Sequence, residues 1–262
     1  MAGQIISRAL PQCAPGVVEV TLSHPGRLGA MSRAMWRQLR SVFESIQRSE
    51  DTRCVLVRGM DGAFCAGGDI SEYPGFRFDP AALRDFHEND VWGGLRAMLD
   101  CDVPVVACIE GPCMGAGVEI ASCCDIRVAA ASARFGAPIA KLGFPMAPRE
   151  AALVRGAVGD ALARSMLLEA AVLDAAPMQA CGFIQHLVAD GAAPSHAEAV
   201  ARRVAALAPQ AARLNKQTLR ALAAPHAALA SDAWLAQAYA YADSAEHHEG
   251  IAAFLEKRKP GF

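Results

Sequence analysis

VPVVACIEGPCMGAGVEIASCCD (103–125) sets the terms on which the rest of the chain reads. It opens on Val103 to Ile109, a near-continuous apolar run of the kind a strand shows when both of its faces are buried. The small residues Gly115, Ala116 and Gly117 follow, and then a helix-forming run carries one acid, Glu119, among Val118, Ile120, Ala121, Cys123 and Cys124. A second stretch repeats the design. RCVLVR (53–58) reads as a buried strand, and AFCAGGDISEY (63–73) passes through Ala66, Gly67 and Gly68 to Asp69.

Small residues at such a turn leave backbone N–H groups uncovered, and a helix start adds orphan donors and a positive dipole end. Either turn alone reads as a tight strand-to-helix connection, where glycine supplies backbone freedom. Two turns converging on one point would make an oxyanion hole. Neither a G-x-x-x-x-G-K-[ST] phosphate cradle nor a G-x-G-x-x-G after a first strand is present. Glu119 lies one helical turn past Ala116. A carboxylate among apolar neighbours is costly to desolvate, and burial raises its pKa toward the range where it can trade protons near neutrality. The alternative is a capping or ion-paired glutamate.

Outward from these turns, VVEVTL (17–22) reads as a strand and Ser32 to Gln47 as an amphipathic helix capped by Ser32. One helix is expected through Leu83, Phe86 and the 91–99 region, and a strand over Ile126 to Ala130. From about Ala147 the chain reads as helical and alanine-rich, closing on EHHEGIAAFLEKRKPGF (246–262), a terminal helix with a basic end. The alternation of strand and helix predicts an α/β fold, with residues 1–194 as the core and a change of packing role near residue 195 that leaves 195–262 as a helical region.

The 262 residues are 53% hydrophobic and 20% charged, enough to bury a full core. A net charge of −2 argues against nucleic acid as a partner. The start of the chain shows no charged segment followed by a long apolar run, and no apolar stretch is long enough to span a bilayer. The nine cysteines include no C-x-x-C pair. They read as small core residues in a reducing, cytoplasmic setting, with no metal expected. Cys65 and Cys113 sit in the two turns but have no histidine nearby in sequence to activate them.

Together HPGRLGAMS (24–32), GAFCAGGDI (62–70), VPVVACIEGPCMGAGVEIASCCDIRVAA (103–130), ARFGAPIAKLGF (133–144) and EGIAAFLEKRKPGF (249–262) closely resemble the enoyl-CoA hydratase/isomerase, or crotonase, family. The resemblance implies a spiral of ββα units with a C-terminal helical assembly region, usually assembled as a homotrimer or a dimer of trimers. It implies an acyl-CoA thioester as the substrate, with coenzyme A part of that substrate and no separate cofactor. It places the N–H groups of Gly68 and Ala116 at the oxyanion hole and Glu119 on the first of two catalytic glutamates. It puts Arg27, Leu28, Ala66, Asp69 and Ile70 along the CoA and acyl chain, and Phe254 and Lys257 where the terminal helix meets CoA.

The departures bear on the reaction. Ile139 in FGAPIA stands where family hydratases carry the second glutamate. FPMAPREAAL (144–153) replaces a glycine-rich segment, with Arg149 and Glu150 expected to pair with each other at the surface and Glu150 a lesser candidate for a replacement acid. His87 and Glu88 read as a polar helix face or as specificity or second-acid residues. Gly29 replaces an asparagine of the CoA loop. A single acid at Glu119 suits double-bond isomerisation. Atypical hydration, decarboxylation, thioester hydrolysis and a non-catalytic acyl-CoA-binding role stay open.

Overall fold

In a computed structural model, which describes residues 2–223 and 245–261, a six-stranded sheet forms the spine. Its order is β1 (Gln4–Ala9), β2 (Val17–Ser23), β3 (Cys54–Gly59), β4 (Val105–Ile109), β6 (Ile126–Ala130) and β9 (His186–Val188). Only β1 runs antiparallel to its neighbour, Ile5 opposite Leu22. The other pairs are parallel, with Val55 opposite Val105 and Val106 opposite Ile126. A smaller sheet joins β5 (Pro112–Met114), β7 (Arg134–Gly136) and β8 (Val172–Asp174). The helices α1 (Arg33–Arg48), α2 (Pro80–Asp85), α3 (Trp92–Asp100), α4 (Ala116–Ser122), α5 (Pro148–Val158), α6 (Asp160–Leu168), α7 (Ala175–Ala180), α8 (Ala193–Ala205) and α9 (Pro209–Ala223) follow in chain order, with a terminal helix over Ala245–Leu255.

Both faces of the large sheet are covered, which is why its parallel strands read as unbroken apolar runs. On one face α1 sets down Met35, Trp36, Leu39, Phe43 and Ile46, a stripe at helical spacing, with the Ser32 hydroxyl accepting from the Met35 N–H to cap its start. Burying each of these large side chains contributes about 1.5–3 kcal/mol. On the other face α8 presents Ala193, Ala197, Val200, Ala201 and Ala205 to Leu56, Val106 and Val128.

Three local features differ from the sequence reading. The helix expected through residues 83–99 is α2, a π-helical turn over Phe86–Val91, and α3. The segment after Ala147 is interrupted by β8 and β9, strands of three residues each. β1, with half-exposed and exposed residues throughout, was not anticipated. It is an antiparallel edge strand whose alternation is too polar to announce a buried strand.

Candidate active site

The two small-residue turns are stitched side by side. The Cys65 N–H donates to the Pro112 carbonyl at 2.9 Å, and the Met114 N–H returns a bond to the Cys65 carbonyl at 2.8 Å. Gly115 adopts φ +47° and ψ −109°, and a Cβ there would sit 3.7 Å from the Gly67 Cα, so the turns touch through their glycines. Gly117 lets α4 approach: a Cβ on it would lie 2.7 Å from the Cys65 carbonyl oxygen. Ala116 is the first residue of α4, so its N–H has no intrahelical acceptor. Among the described residues neither the Gly68 nor the Ala116 N–H finds a protein acceptor, and both residues line one cavity of about 360 Å³. The two cysteines of the turns are fully buried, and burial pushes the Cys65 thiol up to about 12. Neither is a nucleophile at neutral pH.

Glu119 enters the same cavity from the first turn of α4. It is 9% exposed, packed between Val118 and Ile120, which are buried. Burial first, and the charge of Glu150 second, push its carboxyl from an ordinary 4.5 up to about 8. A carboxyl so placed holds a proton at neutrality and can give it up or take it back at small cost.

Ile139 stands on the cavity wall as an apolar group. A second buried carboxylate lies behind the wall. Glu150, in the first turn of α5, is 2% exposed and meets His87 Nδ1 at 3.1 Å through its Oε1. The π-helical turn turns His87 onto the cavity wall. This corrects the expected surface pairing of Arg149 with Glu150: Arg149 pairs with Glu88 at 3.1 Å, and Glu150 faces inward. The signal was present in the sequence. Glu150, Val154 and Val158 fall four residues apart, and all three are buried on one helix face.

Comparison with known proteins decides the family. The family model described as enoyl-CoA hydratase/isomerase matches residues 12–262. The chain belongs to the enoyl-CoA hydratase/isomerase family. A probable enoyl-CoA hydratase of Mycobacterium bovis is 30% identical over 246 residues, covering 93% of each chain. The solved structure of an enoyl-CoA hydratase/carnithine racemase from Magnetospirillum magneticum superposes with a TM-score of 0.92 at 35% identity, covering 100% of this chain and 95% of that one. A putative enoyl-CoA hydratase/isomerase family protein from Hyphomonas neptunium gives 0.89 at 29% identity, covering 98% and 97%. The fold is therefore the crotonase fold, and the protein is an acyl-CoA enzyme of that family.

The residues that the family resemblance sets along CoA divide into two groups. Ala66 and Ile70 line the cavity beside Gly67 and Gly68. Asp69 instead turns into the protein. Its Oδ1 accepts from the Ser71 N–H at 3.1 Å and the Ser71 hydroxyl at 2.7 Å, and pairs with Arg27. Burial alone would raise its pKa, but the Ser71 bonds and the Arg27 charge win and hold it below the usual carboxylate range. Asp69 thus fixes the turn that follows Gly68. Leu28, at φ +49° and exposed, offers its carbonyl to the Ala66 N–H at 3.0 Å. Lys257 is exposed and lies outside the cavity lining. The Phe254 side chain falls outside the described residues.

No helix among the described residues is long and apolar enough to cross a membrane, and no cluster of His, Cys, Asp or Glu among them could hold a metal ion.

Proposed function

We propose that the protein catalyses reversible addition of water to a 2-enoyl-CoA thioester, with Glu119 and the Glu150–His87 pair as its two proton-handling groups. The observation that carries this reading is a carboxyl raised to about 8, on one cavity with two amides that have no protein acceptor among the described residues, under the charge of a second buried carboxylate that meets the lining residue His87. The thioester carbonyl accepts from the Gly68 and Ala116 N–H groups. Ionised Glu119 takes a proton from water as the water oxygen bonds to the β-carbon. The carbon–carbon π pair moves toward the carbonyl, and the resulting enolate oxygen is held by the two amides. The α-carbon then takes a proton from the Glu150–His87 pair, completing one added water. The names of the relatives, which are hydratases, support this chemistry.

A second reading is retained because Ile139 removes the family's usual second acid: Glu119 alone would move a proton between two carbons of a 3-enoyl ester, with no water added. As in the family, assembly into trimers or paired trimers is part of the proposal, and light scattering on the purified protein tests it.

Incubation with crotonyl-CoA and a 3-enoyl-CoA in D₂O, followed by mass spectrometry, separates the two reactions. Hydration adds one water and one α-deuterium to crotonyl-CoA; isomerisation shifts the 3-enoyl ester without gain of water. Glu119→Gln should lose about 10²–10⁴ in rate while still binding a saturated acyl-CoA. Full activity in that variant would remove Glu119 from the mechanism.

A further inference from the structure

Among the described residues Arg77 is a cation without an ion-pair partner on a cavity wall that it shares with Lys141 and Glu119. Its guanidinium lies 3.6 Å from the centroid of the Phe144 ring and 4.6 Å from that of Tyr73, and all three residues line the cavity that holds Glu119. Among the described residues no carboxylate pairs with it and no side-chain or backbone oxygen accepts from it. The lining holds one other cation among the described residues, Lys141, which is exposed to solvent, whereas arginines outside the lining are engaged: Arg33 and Arg37 on Asp90, Arg149 on Glu88, Arg27 on Asp69. Burial lowers the Arg77 pKa, with only Tyr73 acting against it. Aromatic rings over the faces of a guanidinium leave its in-plane N–H edge free, and that edge matches a carboxylate bidentately.

The position of Tyr73 gives the distance scale. Its hydroxyl fills the space that a Cβ on Gly68 would need, so one end of the ring lies at the carbonyl-binding turn. Arg77 stacks on the same ring. One tyrosine ring therefore separates the thioester carbonyl site from Arg77, the reach of an acyl chain a few carbons long.

Resting on the proposed placement of the thioester at Gly68 and Ala116, we propose that Arg77 receives the terminal carboxylate of a short dicarboxylic acyl thioester, which makes an ω-carboxyacyl-CoA the preferred substrate class. A CoA phosphate is the other anion of suitable geometry, with Lys141 a further cation on the lining; the rings of Tyr73 and Phe144 over the Arg77 guanidinium supply no phosphate donors, and thioesters that carry no phosphate separate the two anions.

The test is calorimetric binding of unreactive saturated esters to the full-length protein: adipoyl-CoA against hexanoyl-CoA, with glutaryl and suberyl esters bracketing the length. The wild-type protein should favour the dicarboxylic ester by about ten- to a hundredfold, the range for hydrogen bonds to charged groups. Arg77→Met should collapse that ratio toward one, and Arg77→Gln provides the same comparison if the methionine variant does not fold. The preference should persist with pantetheine thioesters, which carry no phosphate. Equal binding of the two esters by wild type, a ratio untouched by both variants, or a preference lost with pantetheine esters would each overturn the assignment. Discrimination in binding without any turnover would instead leave Arg77 in place and sink the proposed reaction.

Discussion

The pH dependence of stability gives the sharpest test of Glu119. Its carboxyl is raised from 4.5 to about 8 in the folded chain. The folded state therefore holds the proton more tightly than the unfolded state does. Below about pH 4 both states are protonated, and the residue imposes no penalty. As pH rises the unfolded chain gives up the proton first, and stability falls until the folded carboxyl ionises near pH 8. The gap between 4.5 and about 8, at about 1.4 kcal/mol per tenfold change in proton affinity, is about 5 kcal/mol at full ionisation. Glutamine at this position resembles the protonated acid and does not titrate. Urea unfolding of wild type and Glu119→Gln, at one fixed protein concentration, should give nearly equal stabilities at pH 4. The variant should gain about 1 kcal/mol by pH 5 and about 4–5 kcal/mol by pH 9. The difference between the two proteins cancels every titrating group that does not interact with Glu119. A constant difference from pH 4 to pH 9 would refute the burial argument, and with it the claim that this carboxyl is tuned for proton transfer.

Other consequences can be checked separately. Glu150→Gln removes the one charge that adds to burial in raising Glu119, so the rising limb of kcat/KM against pH should move below its wild-type midpoint near 8, even as the maximum rate falls; an unmoved limb would mean that Glu150 does not act on Glu119. Arg127 is a buried cation that donates to the Ala121 carbonyl at 3.0 Å and to the carbonyls of Cys124 and Phe183, closing the C-terminal end of α4. Arg127→Met should cost about 3 kcal/mol or more in urea unfolding, since it strips acceptors that water cannot reach. A Cβ on Gly59 would collide with the carbonyl oxygens of Ala63 and Phe64, whereas Gly62, at φ +73°, has open space around it. Gly59→Ala should fail to accumulate as soluble protein, while Gly62→Ala should lose about 1 kcal/mol and fold.

Local chemistry in the sequence was enough to find the two turns and Glu119. The run Gly115–Gly117 and the run Ala66–Gly68 each sit between a buried strand and an acid, and the reasons for their glycines are backbone reasons that a sequence displays directly. The large sheet was legible for the same cause, since parallel strands buried on both faces leave apolar runs. Less was visible where the structure depends on distant pieces. β7, β8 and β9 are three residues long and form only because a partner edge is waiting. His87 and Glu150 lie 63 positions apart and meet only because a π-helical turn shifts the register of one helix while the first turn of another points inward. Arg77, between Phe76 and Phe78, was not singled out in the sequence, because Phe144, 67 positions further on, meets it only in the fold, where it closes over the guanidinium with Tyr73.

The exchange of Glu for Ile at position 139 and the burial of Glu150 are best understood together. A fold with about 5–15 kcal/mol of net stability does not hold a carboxylate such as Glu119 at a penalty of several kcal/mol for packing alone, because glutamine or leucine would fill the same space without it. A second buried carboxylate beside it makes the penalty larger, as the rise of Glu119 under the charge of Glu150 shows. A buried carboxylate whose ionisation is opposed by a second one is a poor way to stabilise a helix and a good way to keep a proton on Glu119 until it is needed. An apolar residue at 139 then has a physical role: a further carboxylate on that wall would raise Glu119 still more and keep it protonated at neutrality. We propose that the second acid has moved to α5 rather than been lost, and the double variant Ile139→Glu with Glu150→Gln separates the two. If the acid has moved, restoring it at 139 should recover a measurable part of the rate that Glu150→Gln alone removes. If it has been lost, Glu150→Gln will leave the rate intact and there will be nothing to restore.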